Sequence, residues 1–393
     1  VSSPGIAPTA LQHFVKFDGT TRTASTTAVE LTAYTVTWAN LTAAGFAAGD
    51  NALIIVGVKQ WGSSATGSNT FSVNFGTTFA GRVEDTTSRQ IAETPGTAAG
   101  EQYLWVKRRA LVVNENIYFR GQSSTGTASY DEFVCFILNY DDIPTNDKLY
   151  AEATHSGNAP TTYGTAGAGA ATPAAGDWWI VASSKWLVDG IAEDMFLAIS
   201  DGGSDVAEVS TESENATNER VLGTMTYRPA LGSGLTVRAR YKETGATAPP
   251  DIAATSIFGL RLDTFADHWG VRTVNTVTHS VLDTYQEVAG NPAYVLNNTG
   301  PFVVFGWPIH LTTEGTKRPY GRIQIGNVDW LTATTNRSSI MDNGAAQRIA
   351  PLLFGYNPTQ AAATLDIDID AAEDADINPT YTCPERVAVA FSL

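Results

Sequence analysis

The residues best suited to chemistry form an acidic run near the end of the chain. Three aspartates alternate with three aliphatic residues from Leu365 to Asp370, and further acidic residues follow as far as Asp376. Since successive side chains of a strand point to opposite faces, the aspartates share one face and the aliphatic side chains enter the core. As a calcium loop the run fails, because Ala371 replaces the required glycine and Ile377 the bidentate glutamate. The sequence favours a solvated strand face over a divalent cation site, so we expect no metal and no cofactor.

Catalytic motifs are missing from the sequence. It contains no Gly-x-Ser-x-Gly elbow, no phosphate-binding Gly-x4-Gly-Lys-Ser/Thr loop and no His-Glu-x-x-His pair. The histidines are scattered, and each is expected at the surface or at a boundary: His13, His155, His268, His279 and His310. A Ser-His-Asp set or a carboxylate pair assembled only in space would leave no such pattern. From the sequence we predict no catalytic residue and no enzyme.

The nine tryptophans raise the question of sugar binding, because exposed aromatic rings can stack on sugar rings. Trp178, Trp179 and Trp186 lie in or beside one apolar run. Most tryptophan rings are expected in cores or between domains, since this side chain is highly buried on average. A carbohydrate platform is the main competing class of function.

The charge balance limits the partners. Forty acidic residues against 24 basic ones give a net charge of −16. A field of that sign repels phosphate backbones, so we expect no nucleic-acid partner. Two small basic clusters, Lys107 to Arg109 and Lys317 to Arg322, are expected to be solvated strand ends; the alternative is contact with an acidic protein partner.

Strands must position these residues. The chain is 43% hydrophobic and 16% charged, and its many β-branched and aromatic side chains pack well on a pleated sheet. A turn followed by an apolar run occurs three times, beginning at Gly49, Gly176 and Gly300, with spacings of 176 − 49 = 127 and 300 − 176 = 124 residues. Each run is expected to be the first strong strand of one unit.

A second landmark supports this repeat. Alternating runs start at Phe71, Phe196 and Gly321, which are 196 − 71 = 125 and 321 − 196 = 125 residues apart. We predict an all-β chain of three tandem antiparallel β-sandwich domains of one repeated, jelly-roll-like type. The predicted boundaries are 1–146 for an amino-terminal arm plus the first sandwich, 147–266 for the second and 267–393 for the third. The short linkers between them predict a compact cluster.

Segments outside the strong strands are expected at the surface. The excursions 77–102 and 202–219 are interpreted as surface loops at one end of the sandwiches, where loops carry specificity. Val1 to Ala10 is expected to be an extended, mobile arm without the features of a signal peptide. Apolar stretches such as Pro301 to Leu311 are shorter than the roughly 20 residues of a membrane span, so we expect a soluble protein with no membrane partner.

Taken together, these features resemble those of virion structural proteins of tailed bacteriophages. The shared features are an acidic composition rich in Thr, Ala and Gly, the arm, the repeated jelly-roll-sized units and the missing catalytic motifs. More narrowly, the chain is similar to capsid decoration, or cement, proteins. The resemblance implies a non-enzymatic protein that is made in the host cytoplasm, sits on the outer capsid surface and clamps copies of the major capsid protein.

The contact with such a shell is expected at the start of the chain. Val1 to Ala10 leads into Leu11, Phe14, Val15 and Phe17, which could be anchored on a partner. Three linked domains can imitate a trimer, so we expect either a monomer with a pseudo-threefold arrangement or a homo-oligomer. The alternative function is a tail-fibre or receptor-binding protein that recognises host surface glycans.

Overall fold

The all-β prediction is confirmed by a computed structural model, in which the strands pair antiparallel in five sheets. One short α-helix, α1 (Trp38–Ala43), begins after Thr37, whose hydroxyl accepts a hydrogen bond from the backbone N–H of Asn40. The structure describes residues 11–62, 68–93, 101–188, 193–213, 219–244, 250–274, 277–279, 286–312, 318–325, 328–329, 347–350, 352–374 and 381–393.

The first group of strands forms a sandwich of two sheets. Its inner sheet has the order β1-β10-β4-β8 and its outer sheet the order β3-β9-β5-β7, with β2 and β6 as short additions. The strands are β1 (His13–Asp18), β2 (Arg22–Ala24), β3 (Val29–Glu30), β4 (Asn51–Gly62), β5 (Ser68–Gly76), β6 (Val83–Glu84), β7 (Gln90–Glu93), β8 (Glu101–Ala110), β9 (Asn116–Ser123) and β10 (Ala128–Asn139).

The second group of strands repeats this order. Its inner sheet runs β11-β18-β13-β16 and its outer sheet β12-β17-β14-β15. The strands are β11 (Lys148–Thr154), β12 (Gly169–Ala171), β13 (Gly176–Leu187), β14 (Glu193–Ser200), β15 (Asp205–Ser213), β16 (Glu219–Leu231), β17 (Thr236–Thr244) and β18 (Asp251–Arg261).

The third group follows the same scheme. In its inner sheet β19 pairs with β28, β28 with β22, and β22 with both β25 and β26, whereas the outer sheet runs β21-β27-β23-β24. The strands are β19 (His268–Thr273), β20 (Val277–His279), β21 (Gln286–Leu296), β22 (Gly300–Thr312), β23 (Arg318–Ile325), β24 (Val328–Asp329), β25 (Gln347–Ile349), β26 (Leu353–Gln360), β27 (Ala363–Asp374) and β28 (Tyr381–Ser392).

In all three groups the main strands follow the order of an eight-stranded jelly roll. The first, eighth, third and sixth form the inner sheet, and the second, seventh, fourth and fifth form the outer sheet. The runs that start at Phe71, Phe196 and Gly321 lie in β5, β14 and β23, which are the fourth strands. The division into three domains at 1–146, 147–266 and 267–393 stays a prediction.

The apolar runs that organise the sequence are strands buried on both faces. In β4, Ile54 and Val56 belong to the core of the first sandwich, whereas Leu53 and Ile55 belong to a larger cluster that contains side chains from all three sandwiches. We call this cluster the shared core. A strand that is covered on both sides needs apolar residues at every position, which explains why these runs do not alternate.

Aromatic rings from the three inner sheets meet in the shared core. Phe305 of the third sandwich lies 5.5 Å from Phe136 of the first and 4.5 Å from Trp179 of the second, measured between ring centroids. Trp179 also approaches Phe391 at 5.7 Å. Close ring pairs of this kind stabilise beyond the burial of their area, so the three sandwiches pack as one body.

Three glycines let the inner sheets approach closely. At each of them a large side chain from a neighbouring sandwich fills the space where a Cβ would stand, with its nearest atom 2.3 to 2.4 Å from that position. The pairs are Gly57 with Leu352, Gly223 with Leu104, and Gly270 with Tyr227. The third sandwich thus contacts the first, the first contacts the second, and the second contacts the third, so the packing is cyclic.

The segments 77–102 and 202–219 are not simple loops, and that interpretation was wrong. They contain β6, β7 and β15, and β7 pairs with β16 at Ile91 and Glu219. This pair joins the outer sheet of the first sandwich to the inner sheet of the second, giving one sheet of nine strands. The backbone of β6, β7 and β15 is needed to complete the ladders, because an unpaired buried N–H or C=O costs free energy.

Charged side chains lie at the point where the two sheets join. Glu219 accepts hydrogen bonds from Arg89 and from Lys185, whose side chain is only 3% exposed. Arg89 also lies 3.3 Å from Glu84. Burial lowers the pKa of Lys185 to about 8, against the opposing effect of Glu219. The first and second sandwiches are therefore connected by an ionic network, buried at Lys185 and open to solvent at Arg89, as well as by a sheet.

Candidate binding surface

The starts of the three central strands lie on the same side of the molecule. Phe136 pairs with Ile55, 55 − 51 = 4 residues into β4, while Trp179 is 179 − 176 = 3 residues into β13 and Phe305 is 305 − 300 = 5 residues into β22. Since these rings touch and each residue of a strand rises by about 3.3 Å, the strands begin at similar heights. They also run in the same direction, because contacts further along the strands keep the same order. Gly57 meets Leu352, which precedes the partner of Gly306, and Gly223, the partner of Ser183, meets Leu104, the partner of Gly57. Segments next to these starts therefore share one face.

We call this side the linker face. It consists of the connections at the starts of β4, β13 and β22, the turns between the fourth and fifth strands and between the sixth and seventh strands, and the two linkers between sandwiches. The segments are 31–50, 77–82, 111–115, 140–147, 172–175, 201–204, 232–235, 262–267, 297–299 and 361–362. Residues immediately beside these segments are counted with the face.

Exposed apolar side chains are concentrated on the linker face. Seven large apolar side chains are exposed among the described residues: Val83, Val112, Val113, Leu187, Leu235, Val274 and Val295. Only Leu187 and Val274 lie at the opposite end, since Leu187 ends β13 and Val274 follows β19, and both strands start at the linker face. Sequence reasoning missed Val112 and Val113, although two adjacent valines in a turn between strands are unusual where polar residues prevail.

The exposed charges of the same face are mainly acidic. In the part of the chain that the structure describes, the exposed charged residues of this face are Asp141, Asp142, Asp205 and Asp263. Exposed Arg108 lies beside the face, over Tyr140, and Asp263 is paired with Arg261 at 3.0 Å. Asp205 is paired with Arg240 at 2.8 Å. The face therefore presents negative charge around its apolar residues.

The first linker is held in a defined position. Asp141 accepts hydrogen bonds from the backbone N–H and the side-chain amide of Asn51, at 2.9 and 3.0 Å. The Arg108 guanidinium stacks over Tyr140 at 5.2 Å and over Tyr150 at 4.8 Å. These contacts fix the carboxylates at the edge of the face, since both ends of the linker are anchored on strands.

The sequence-predicted contact residues Leu11, Phe14, Val15 and Phe17 take part in the fold of the first sandwich. Leu11 is buried in the shared core and Val15 packs against it, whereas Phe14 packs against the core of the first sandwich. The strand that holds Phe14, Val15 and Phe17 pairs with β10, Phe17 lying opposite Val134. Their assignment as capsid contacts stays a prediction.

The arm itself, Val1 to Ala10, lies outside the described residues. The chain enters the described part at the linker face, because the carbonyl of Gln12 accepts a hydrogen bond from Asn139, which ends β10 beside the first linker. Whatever precedes Leu11 is therefore attached to this side of the molecule.

The acidic run has the predicted alternation but is only partly solvated. Ile367 and Ile369 are fully buried in the third sandwich, as predicted. Asp370, however, is 5% exposed and its carboxylate lies 2.7 Å from the Arg322 guanidinium. Burial, together with the charges of Asp366, Glu287 and Asp370, raises the pKa of Asp368 to about 6. Within the described residues no group of His, Cys, Asp or Glu has the geometry to hold a metal ion.

Most of the described tryptophans cannot serve as a sugar platform. Five are buried, with at most 2% of their surface exposed: Trp105, Trp178, Trp179, Trp186 and Trp307. Trp38 and Trp269 are half-buried and pack against apolar cores. His310 is 1% exposed, so the expectation of a surface or boundary position was wrong for this histidine. The described residues include no helix that is long and apolar enough to cross a membrane.

Comparison with known proteins gives only remote structural likenesses. No protein-family model matches the chain, and no curated protein sequence matches it. The vertex protein P5 of PRD1 covers 30% of this chain and 98% of its own, with 13% identity and a TM-score of 0.23. A structure of Sulfolobus turreted icosahedral virus covers 86% of this chain and 79% of its own, with 11% identity and a TM-score of 0.20. PNGF-II covers 86% of this chain and 99% of its own, with 7% identity and a TM-score of 0.32.

Viral shell and vertex proteins are thus among the structures that this chain resembles. TM-scores of 0.20 to 0.32 are too low to carry an argument about function. The functional argument therefore depends on the packing and surface of the chain itself.

Proposed function

We propose that this chain is a non-enzymatic virion structural protein. It decorates an icosahedral phage capsid and stabilises it by bridging subunits of the major capsid protein. The observation that carries the proposal is the shared core, in which three sandwiches of one strand order are packed with their linker ends on one side. A protein built in this way can touch several subunits at once without rearranging.

Rigidity matters for a bridging role. A clamp that flexes would transmit little force between the subunits it joins, whereas close-packed interiors have low compressibility and transmit strain. The sandwiches are joined by buried rings such as Phe136, Trp179 and Phe305 rather than by flexible linkers. This packing supports a clamp over a string of independent modules.

Size also supports the proposal. A specific, stable interface buries about 1,000 Å² or more, which a single sandwich end could scarcely supply. One face built from three sandwich ends offers a larger contact, and attachment at several points raises the overall affinity through effective concentration. We place this contact on the outer capsid surface and assign synthesis to the host cytoplasm, with the protein acting as a pseudo-threefold monomer or as a homo-oligomer.

The alternative is a tail-fibre or receptor-binding protein that recognises host surface glycans. It has less support, because Trp178, Trp179 and Trp186, the tryptophans that suggested it, are fully buried. Half-buried Trp38 and Trp269 are the described tryptophans that could contribute to such a platform.

The experiment is to incubate the purified chain with emptied capsids of the virus that encodes it and, separately, with host cells. Decoration predicts saturable binding to capsids and survival of decorated capsids to a higher temperature than bare ones. Deletion of Val1 to Ala10 tests whether the arm contributes to occupancy. Equal thermal survival with and without the protein would reject the stabilising role, and binding to cells alone would favour the alternative.

A further inference from the structure

We propose that the linker face is the docking surface and that its partner is an apolar protein surface with a basic rim. The inference rests on the proposed function and deepens it, since it assigns the side of the molecule and the chemistry of the capsid surface that it meets. Three apolar tips, one on each sandwich, supply the centre of the contact, and the acidic linkers supply its edge.

The first tip is the turn between β8 and β9. Val112 and Val113 are 52% and 56% exposed, and the backbone N–H of Glu115 closes the turn on the carbonyl of Val112. The Arg109 guanidinium binds Glu115 at 2.7 Å and so fixes the base of the turn. Two branched apolar side chains are therefore presented to solvent by a turn whose backbone and flanking ion pair are already ordered.

The second tip has the same place in its sandwich, between β16 and β17. Leu235 is 39% exposed and lies against Gly202 of the neighbouring turn, where an added Cβ would be 3.5 Å from the leucine Cδ2. The Thr172 hydroxyl donates to the carbonyl of Gly232 at 2.6 Å and holds the start of the turn. A glycine-rich turn thus carries a single apolar side chain that its surroundings keep in position.

The third tip combines the end of β21 with the turn before β27. Val295 is 55% exposed and pairs with Thr364, next to the exposed residues Ala361 and Ala362. An apolar residue therefore stands at the sixth-to-seventh turn, or beside it, in every sandwich. Because the packing is cyclic and the strands begin at similar heights, the tips surround the end of the shared core.

The charge of the linker face determines which charge its partner surface must carry. The exposed charged residues of the described linker face are four aspartates, two of them paired with arginines, and exposed Arg108 lies beside them. A docking surface with the same sign would be repelled, and complementary surfaces favour the correct partner and speed encounter. The capsid surface is therefore expected to carry Lys or Arg around an apolar centre.

The opposite end gives a matched control surface. Val274 is 60% exposed and follows β19 at that end, so it resembles Val113 in residue type and exposure but not in location. Exposed Glu287 lies on the outer sheet of the third sandwich and can be compared in the same way with Asp142. Substitutions at these pairs change the same chemistry on different faces.

The experiment measures binding of the full chain and its variants to emptied capsids of the encoding virus at two salt concentrations. Val113→Asp, Leu235→Asp and Val295→Asp are each expected to weaken binding about tenfold or more, because a carboxylate must then be desolvated in an apolar contact. Val274→Asp is expected to bind as the wild type does. Asp142→Lys is expected to weaken binding several-fold and to flatten its dependence on salt, whereas Glu287→Lys is not.

The outcomes separate this inference from the proposed function. If the wild type binds capsids and Val274→Asp is the variant that fails, the opposite end is the docking surface and the inference is overturned while decoration stands. Tip variants that bind normally would also overturn it. If the wild type binds no capsid, decoration and the inference fail together. Circular dichroism and thermal unfolding of each variant show whether a loss reflects docking, since all of the substituted side chains are exposed.

Discussion

The junction between the first and second sandwiches differs from the seam between the first and third. The junction is spanned by a short linker, a continuous sheet and the ionic network of Arg89, Glu219 and Lys185. Across the seam the described residues place Phe136 against Phe305, and Leu352 over Gly57. Hydrogen bonds and ion pairs depend on direction and distance and so favour one alignment, whereas apolar contacts are non-directional. The junction therefore fixes how the first two sandwiches are aligned. The seam buries apolar side chains and completes the cyclic packing of the three sandwiches.

The largest effect is expected at the ionic network. Glu219→Gln leaves the buried Lys185 ammonium without its carboxylate, whereas Arg89, whose side chain is 40% exposed, keeps Glu84 as a partner. The free energy of unfolding should therefore fall by about 3 kcal/mol, the low end for a broken buried pair. Lys185→Met, which replaces the buried cation with an apolar side chain of similar length, should be nearly neutral or stabilising. Urea unfolding of both variants measures the difference. Equal losses in the two variants would show that the network acts as a simple sum of pairs.

The pH dependence of the junction is the next effect in size. Lys185 faces Glu219, Arg89 and Glu84, and burial holds its pKa near 8 instead of 10.5. Because the unfolded chain then binds the proton more tightly, this group makes stability rise as pH increases from about 8 to 10.5. One pKa unit corresponds to about 1.4 kcal/mol, so the ceiling is roughly 3 kcal/mol.

Lys185→Met serves as the control for this pH dependence, because it removes only that titration. Between pH 8 and pH 10.5 the unfolding free energy of the wild type should increase relative to that of the variant. Below pH 7 the difference between the two should stay constant. Parallel curves over the whole range would mean that Lys185 titrates normally in the folded protein.

A smaller effect is expected at the interface glycines. A Cβ at Gly223 would lie 2.4 Å from the backbone carbonyl oxygen of Leu104, which cannot move aside, whereas a Cβ at Gly57 meets the Cδ2 end of Leu352. Gly223→Ala should therefore cost about 1–3 kcal/mol and Gly57→Ala less, because a flexible side chain can adjust. Thermal unfolding of both variants tests the order. Combining Gly57→Ala with Leu352→Ala should give a loss smaller than the sum of the two single losses.

The sequence indicated the apolar strands that meet at the seam, but not the charged residues that meet at the junction, for a physical reason. The apolar runs that begin after Gly49, Gly176 and Gly300 are strands buried on both faces, and such strands have continuous apolar sequences. Arg89 and Glu219 instead lie in segments that looked like solvated loops, and a charged residue has the same sequence signature whether it is exposed or paired in an interface. Their burial depends on the pairing of β7 with β16, which local sequence does not specify.

The candidate surface was predictable only in part. The expectation that contacts lie at one end of the sandwiches follows from the strand schedule and stays a prediction. Leu11 and Phe14 were singled out for their apolar character, but they pack against the chain's own cores. Leu235 and Val295 could not be told from core residues by type, because exposure is decided by the end of the sandwich at which each residue falls. Val113 did carry a signal, since two adjacent valines in a turn are unusual.

The smallest effect is expected at the polar contact of the seam, between His13 and Tyr356. The His13 Nε2 lies 3.2 Å from the Tyr356 hydroxyl, and the Nδ1 lies 2.9 Å from the carbonyl of Leu11. Burial lowers the pKa of His13 below 6.5, so the folded protein binds this proton less tightly than the unfolded chain. Stability from this group is therefore present at neutral pH and is lost as pH falls from 6.5 towards the lowered value.

Tyr356→Phe removes one hydrogen bond and should cost about 0.5–1.5 kcal/mol at pH 7. His13→Gln keeps a polar side chain but cannot take up a proton. The unfolding free energy of this variant should therefore decrease less than that of the wild type when the pH is lowered from 7 to 5. Because the seam is otherwise apolar at Phe136 and Gly57, neither substitution should open it, and hydrogen exchange in β10 should remain close to that of the wild type. Fast exchange of β10 in Tyr356→Phe would instead assign the alignment of the first and third sandwiches to this one polar contact, and the contrast between a register-fixing junction and a non-directional seam would be lost.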